Sequence, residues 1–124
     1  MDLRLYNEAI INLRRIDGEL MVDLSFNFQG ECWLWAGEKA AWHFIRLPQE
    51  KSAEIKFFNE NLHEKKRGWG AVRVEVTIGK TTWQTSIFPD AKSGSYLLPT
   101  KSSVRKAEGF AAGDLVEVQL HIEV

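Results

Sequence analysis

The chain has 124 residues, the length of a single domain, and 44% of them are hydrophobic, so it can bury a core of its own. A formal net charge of −1 argues against a strongly electrostatic partner such as duplex nucleic acid, which requires a basic patch or stripe. The single cysteine excludes an internal disulfide. Since neither a signal peptide nor an apolar run of membrane-spanning length is apparent, we expect a cytoplasmic protein with no membrane partner.

The first residues of the chain show apolar side chains at helical spacing. These side chains are Tyr6, Ala9, Ile10, Leu13 and Ile16. The spacing predicts a short amphipathic helix over residues 1–16, which Asp17 and Gly18 would end. We therefore divide the chain into an N-terminal extension, residues 1–18, and a single β-barrel domain, residues 19–124.

Strict alternation of apolar and polar residues predicts three half-buried strands, at residues 19–29, 71–78 and 115–124. Residues 41–47 are apolar on nearly both faces, which predicts a central strand. A glycine-first pair at residues 79–80 favours a type II′ hairpin turn.

Pro48 and Pro99 each end a strand, because proline disfavours helical conformation in the residue before it. A helix is predicted after each proline, and the first of them covers residues 49–63. The second ends at Gly109, since glycine suits the left-handed conformation that commonly follows a helix.

The order of strand, proline, helix, glycine and alternating strand therefore occurs twice, at residues 45–78 and again at residues 97–124. Two such units in one chain predict a mainly β fold, a pseudo-two-fold β-barrel with α caps. We expect about six to seven strands, two capping helices and the N-terminal helix, with closure removing the exposed sheet edges.

Six motifs carry a resemblance to a known family. They are WHFIRLP at residues 42–48, RVEVTIG at 73–79, WQTSIFP at 83–89, GSYLLP at 94–99, VRKAEG at 104–109 and GDLV at 113–116. The chain resembles, in family order from residue 42 to its end, the bacterial and archaeal family labelled domain of unknown function 1905. The resemblance implies a double-split β-barrel capped by helices. The resemblance implies no established activity and no catalytic residue.

The C-terminal unit is also similar to the swapped-hairpin domains of AbrB- and MazE-type transcription regulators, which bind DNA as intertwined dimers. That similarity implies an alternative function in nucleic-acid binding. In this alternative the phosphates are contacted by Lys92, Lys101, Arg105 and Lys106. We favour a simpler interpretation of these cations, a solvated helix face on which the helix dipole favours positive charge near the C-terminus. Both halves lie in this one chain, so closing the barrel does not require a homodimer.

Five tryptophans are many for this length. Tryptophan is a preferred anchor in binding interfaces, although aromatic side chains more often belong to a core. Where the chain forms a pocket, we expect Trp42, Arg73, Trp83, Thr85 and Tyr96 near it, because their strands are expected to be neighbours. The favoured function is a non-catalytic module that binds a small ligand or a protein, as a monomer or weak homodimer.

No catalytic or metal-binding motif supports a chemical function. The three histidines lack ligand spacing, so neither a metal nor a cofactor is predicted. Cys32 lies among apolar aromatic residues, where a thiol is usually inert packing. No specific residue therefore supports an enzymatic function.

Overall fold

The computed structural model describes residues 2–6, 9–61 and 70–123, which form eight strands and two helices. The strands are β1 (Asp2–Tyr6), β2 (Ala9–Ile16), β3 (Glu19–Ala36), β4 (Ala41–Arg46), β5 (Val72–Ile78), β6 (Thr81–Asp90), β7 (Ser95–Pro99) and β8 (Leu115–Glu123). Helix α1 (Gln49–Asn61) connects β4 to β5, and helix α2 (Ser102–Glu108) connects β7 to β8.

Six of these strands close an antiparallel barrel in the order β3, β4, β7, β6, β5, β8, and β8 returns to pair with β3. The two strand–helix–strand units pair with each other, since β4 pairs with β7 and β5 pairs with β8. The predicted fold class, a mainly β barrel with two helices, is therefore confirmed, and the barrel closes within one chain. The double-split arrangement stays an implication of the resemblance.

The predicted N-terminal helix is wrong, because β1 and β2 form an antiparallel hairpin and β2 then pairs with the first half of β3. Asp17 and Gly18 have φ angles of 52° and 81°. Positive φ at both central residues is the requirement of a two-residue type I′ turn, so this pair joins two strands instead of ending a helix. The long β3 offers an edge for pairing, and backbone pairing along it outweighs the helical spacing of a short segment.

The barrel interior is filled by the inward-facing residues of its strands. On β5, Val72, Val74 and Val76 are buried while Arg73 and Glu75 are exposed, as the alternation predicts. The core also contains Leu24, Phe26, Phe28, Cys32, Ile45, Leu47, Ile55, Ile78, Ile87, Tyr96, Leu98, Val116, Val118, Leu120 and Ile122. A filled interior leaves the outside of the barrel as the place to look for a site.

Both helices are tied to the barrel by hydrogen bonds. The hydroxyl of Ser52 on α1 accepts a 3.0 Å hydrogen bond from the N–H of Tyr96 on β7. Helix α2 ends, as predicted, at a left-handed Gly109, whose N–H donates to the carbonyl of Arg105 at 2.9 Å. The contact that ties α2 to the barrel is a 2.6 Å hydrogen bond from the hydroxyl of Thr81 on β6 to Oε2 of Glu108, the last residue of the helix.

Candidate functional site

One outer surface of the barrel, which we call the aromatic face, is formed by β3, β4, β7 and β6. Directly paired residues of an antiparallel sheet project from the same side of it. Phe44 on β4 is paired with Trp33 on β3 and with Pro99 on β7. The aromatic face consists of Trp33, Trp35, Trp42, Phe44, Phe88, Leu97 and Pro99, with a polar end formed by Arg46, Asp90, Lys92 and Ser93.

The aromatic face is a shallow depression of about 750 Å³. Three of its largest side chains are about half exposed, with Trp35 at 50%, Trp42 at 51% and Phe88 at 46%. Contiguous apolar surface of this kind on a water-exposed face commonly marks an interaction site. The surface is therefore the candidate functional site of the described chain.

The rings of the aromatic face pack on one another. The ring centroids of Trp33 and Phe44 lie 5.5 Å apart. Trp42 stacks near Phe44 at 6.4 Å with an interplanar angle of 21°. The guanidinium carbon of Arg46 lies 5.2 Å from the centre of the Trp33 ring, a cation–π contact. These contacts fix the rings relative to one another.

The polar end contains a carboxylate that is already held by its own turn. The hydroxyl of Ser93 donates a 2.8 Å hydrogen bond to Oδ2 of Asp90. This bond is the main reason that the pKa of Asp90 lies below its ordinary value, although partial burial raises it. Backbone N–H groups of Lys92 and Ser93 and the charge of Arg46 lower the pKa further. Asp90 is therefore ionised, and its oxygens are engaged.

The structure does not bring together all five residues that the sequence predicted near a pocket. Trp42 lies on the aromatic face. Tyr96 is fully buried in the core, at 0% exposure. Trp83 and Thr85 are paired with buried valines of β5 and therefore share the inward side of that hairpin. Arg73 projects from the other side of β5 and is exposed.

The sequence prediction counts Trp33 and Trp35 among tryptophans that could line an interface, but it places only Trp42 of the aromatic face near the expected pocket, although a signal for the face is present. Trp33 and Trp35 alternate on β3, and Trp42, Phe44 and Arg46 alternate on β4, so each set shares one side of its strand. The predicted central strand at residues 41–47 is confirmed, since β4 lies between β3 and β7. Only one of its faces is covered, since Ile45 is buried whereas Trp42 and Arg46 on the other face are exposed.

The cations of the nucleic-acid alternative lie in two places. Lys92 is at the polar end of the aromatic face. Lys101 precedes α2, and Lys106 is exposed in its last turn. The guanidinium of Arg105 is engaged with the carbonyl oxygen of Thr100. Nucleic-acid binding stays a prediction from the resemblance.

Burial raises the pKa of the Cys32 thiol, and a hydrogen bond with Thr100 only partly opposes that effect.

Within residues 2–6, 9–61 and 70–123, no three His, Cys, Asp or Glu residues are grouped so that they could hold a metal ion. In that same part of the chain, neither helix has the length and apolarity needed to cross a membrane.

Fold and surface together define a small closed antiparallel barrel domain with an aromatic outer face. The family model described as Domain of unknown function (DUF1905) matches residues 28–120. The chain belongs to this family, as the motifs of strands β4 to β8 predicted. A comparison with curated proteins finds no match.

Proposed function

We propose that this domain is a non-catalytic binding module and that the aromatic face is its binding surface for a small molecule with an apolar body. The observation that carries the proposal is the exposure of Trp35, Trp42 and Phe88 on one outer face of a barrel whose interior is filled. A depression of about 750 Å³ also has the size of ordinary small-molecule sites.

The polar side chains of the aromatic face suit recognition better than proton transfer. A general base works best with a pKa near the operating pH. The pKa of Asp90 is lowered instead, mainly by the hydrogen bond from Ser93. The Ser93 hydroxyl in turn is committed to that carboxylate. Arg46 and Lys92 can donate hydrogen bonds to a ligand without taking up a proton.

A thermal-shift screen against metabolites tests the proposal, because a ligand that binds only the native state must raise the melting temperature. Compounds that stabilise the wild type are then tested on Trp35→Ala and Trp42→Ala. Leu115→Ala is the matched control, since Leu115 is an exposed apolar residue of β8 that does not line the aromatic face. We expect the stabilisation to disappear in both tryptophan variants and to persist in the control.

Stabilisation that persists in Trp35→Ala and Trp42→Ala would place the binding elsewhere and overturn the proposal. A stable complex with another protein that depends on the same two tryptophans would replace the small molecule by a protein partner. A cytoplasmic location, and a monomer or weak homodimer, are further predictions that localisation and sedimentation measurements test. For the nucleic-acid alternative, the prediction is duplex binding that weakens steeply with added salt.

A further inference from the structure

We propose that the ligand of the aromatic face is a planar aromatic molecule that carries an anionic group. Its ring lies on the exposed tryptophans and Phe44, and its anion lies at Arg46 and Lys92. The inference rests on the proposed function, that the aromatic face is the binding surface, and adds the chemical class of the ligand.

The exposed rings provide the platform for a planar body. Trp35 and Trp42 are directly paired across β3 and β4, so their side chains project from the same side of the sheet. Each is about half exposed, and Trp42 makes a stacked contact with its neighbour Phe44 on the same side of β4. A flat aromatic ring gains most from such a surface, because offset stacking adds to the burial of apolar area.

Hydrogen bonds within the chain already engage the Asp90 carboxylate at the polar end, whereas its cations are not ion-paired within the described residues. Asp90 accepts from the Ser93 hydroxyl and from two backbone N–H groups. The Ser93 oxygen also accepts a 3.3 Å hydrogen bond from the N–H of Ser95. In the part of the chain that the structure describes, no carboxylate lies within ion-pairing distance of Arg46 or Lys92. A ligand group at this end is therefore met by N–H donors, which calls for an acceptor.

The charges of the polar end favour an acceptor that is negative. Arg46 and Lys92 together carry two positive charges, and Asp90 supplies one negative charge, which leaves an excess of one. The guanidinium carbon of Arg46 lies 5.2 Å from the centre of the Trp33 ring, a contact that leaves the N–H groups of the guanidinium as donors. Those donors match a carboxylate or phosphate better than a neutral group.

The spacing along β4 fits one molecule that uses both parts of the site. Phe44 and Arg46 are two residues apart, so they project from the same side at a separation of roughly 7 Å. That is about the length of a fused two-ring system. A bicyclic ring centred over Phe44, with one edge towards Trp42, would place a substituent at its opposite end next to Arg46.

The test compares 2-naphthoate with 2-naphthamide, which share shape and ring and differ by one charge. Binding is followed by quenching of tryptophan fluorescence and by calorimetry. We expect naphthoate to bind the wild type at least about fivefold more tightly, a free-energy gap of about 1 kcal/mol. The gap closes in Arg46→Gln/Lys92→Gln and remains in the matched control Lys106→Gln, an exposed lysine of α2. A second pair, adenosine monophosphate and adenosine, distinguishes a phosphate from a carboxylate.

The outcomes separate this inference from the proposed function. Equal binding of naphthoate and naphthamide, weakened for both by Trp42→Ala, would overturn the anionic class and leave the aromatic face as the binding surface. Binding of both that is unchanged in Trp42→Ala would contradict the proposed function as well. Loss of the gap in Lys106→Gln would reveal non-specific attraction and overturn the inference. So would the failure of all four probes to bind at millimolar concentration, whereas the metabolite screen judges the proposed function independently.

Discussion

The hydroxyl of Thr81 donates a 2.6 Å hydrogen bond to Oε2 of Glu108, which ties the β5–β6 hairpin to the last residue of α2. The N–H of Lys80 donates to the other carboxylate oxygen at 3.3 Å. Gly79, the first residue of the turn, leaves room for that carboxylate, because a Cβ at this position would collide with it. A single side chain therefore fastens a barrel hairpin to the second helix.

Glu108→Ala is expected to lower the free energy of unfolding by about 1–2 kcal/mol, since hydrogen bonds to a charged group stabilise more than neutral ones. A glutamate at the end of a helix opposes the helix dipole, so the observed loss is net of that relief. The measurement is chemical denaturation, with Glu38→Ala, in the exposed β3–β4 turn, as the control. Thr81→Val completes a double-mutant cycle. Equal stability of Glu108→Ala and Glu38→Ala would contradict the prediction.

Gly30→Ala is expected to destabilise the barrel by about 1–3 kcal/mol through overpacking. A Cβ at Gly30 would lie 2.5 Å from Cγ2 of Ile45 and 3.2 Å from the carbonyl oxygen of Arg46. The backbone of Gly30 is not left-handed, so the cost is steric. Combining the change with Ile45→Leu, which removes that methyl group, should cost less than the sum of the two single changes in urea denaturation. Strict additivity would refute the steric explanation.

Ser93→Ala is expected to raise the pKa of Asp90 towards its ordinary value of 3.8, because it removes the largest cause of the lowered pKa. Since the pKa of Asp90 is lower in the folded chain, its ionised form stabilises the fold above the unfolded pKa. That contribution is lost as the pH falls through the folded pKa. A carbon-detected NMR titration of the Asp90 carboxyl measures the change. An unaltered pKa in Ser93→Ala would rule out the hydroxyl as its cause.

Cys32 is expected to resist thiol reagents in the native protein. Its side chain is fully buried, and burial raises the pKa of the thiol, so little reactive thiolate is present. Labelling by a disulfide reagent should follow the opening of the barrel, slow in buffer and complete in denaturant. Thr100→Val, which removes the partner of the thiol, should leave this protection in place. Rapid stoichiometric labelling under native conditions would show that the thiol is accessible.

The inward sides of the strongly alternating strands could be predicted from the sequence alone. A strand presents alternate residues to opposite sides, so the valines of β5 and the alternating apolar residues of β8 from Val116 to Ile122 define one buried side whatever their partners are. The end of α2 at Gly109 could also be predicted from the local sequence, since glycine adopts the left-handed conformation at no steric cost. The family followed from short motifs along the chain from β4 to β8.

Contacts between distant segments decided the rest. Whether residues 9–16 form a helix or a strand depended on the free edge of β3, which spacing within the segment does not reveal. Alternation placed Trp33 and Trp35 on one side of their strand, but only the packing of the barrel determined that this side stays uncovered. The same packing buries the side chain of Tyr96 in the core and leaves that of Trp42 exposed. Periodicity along a chain is a local property, whereas the exposure of a face depends on which other segments pack against it.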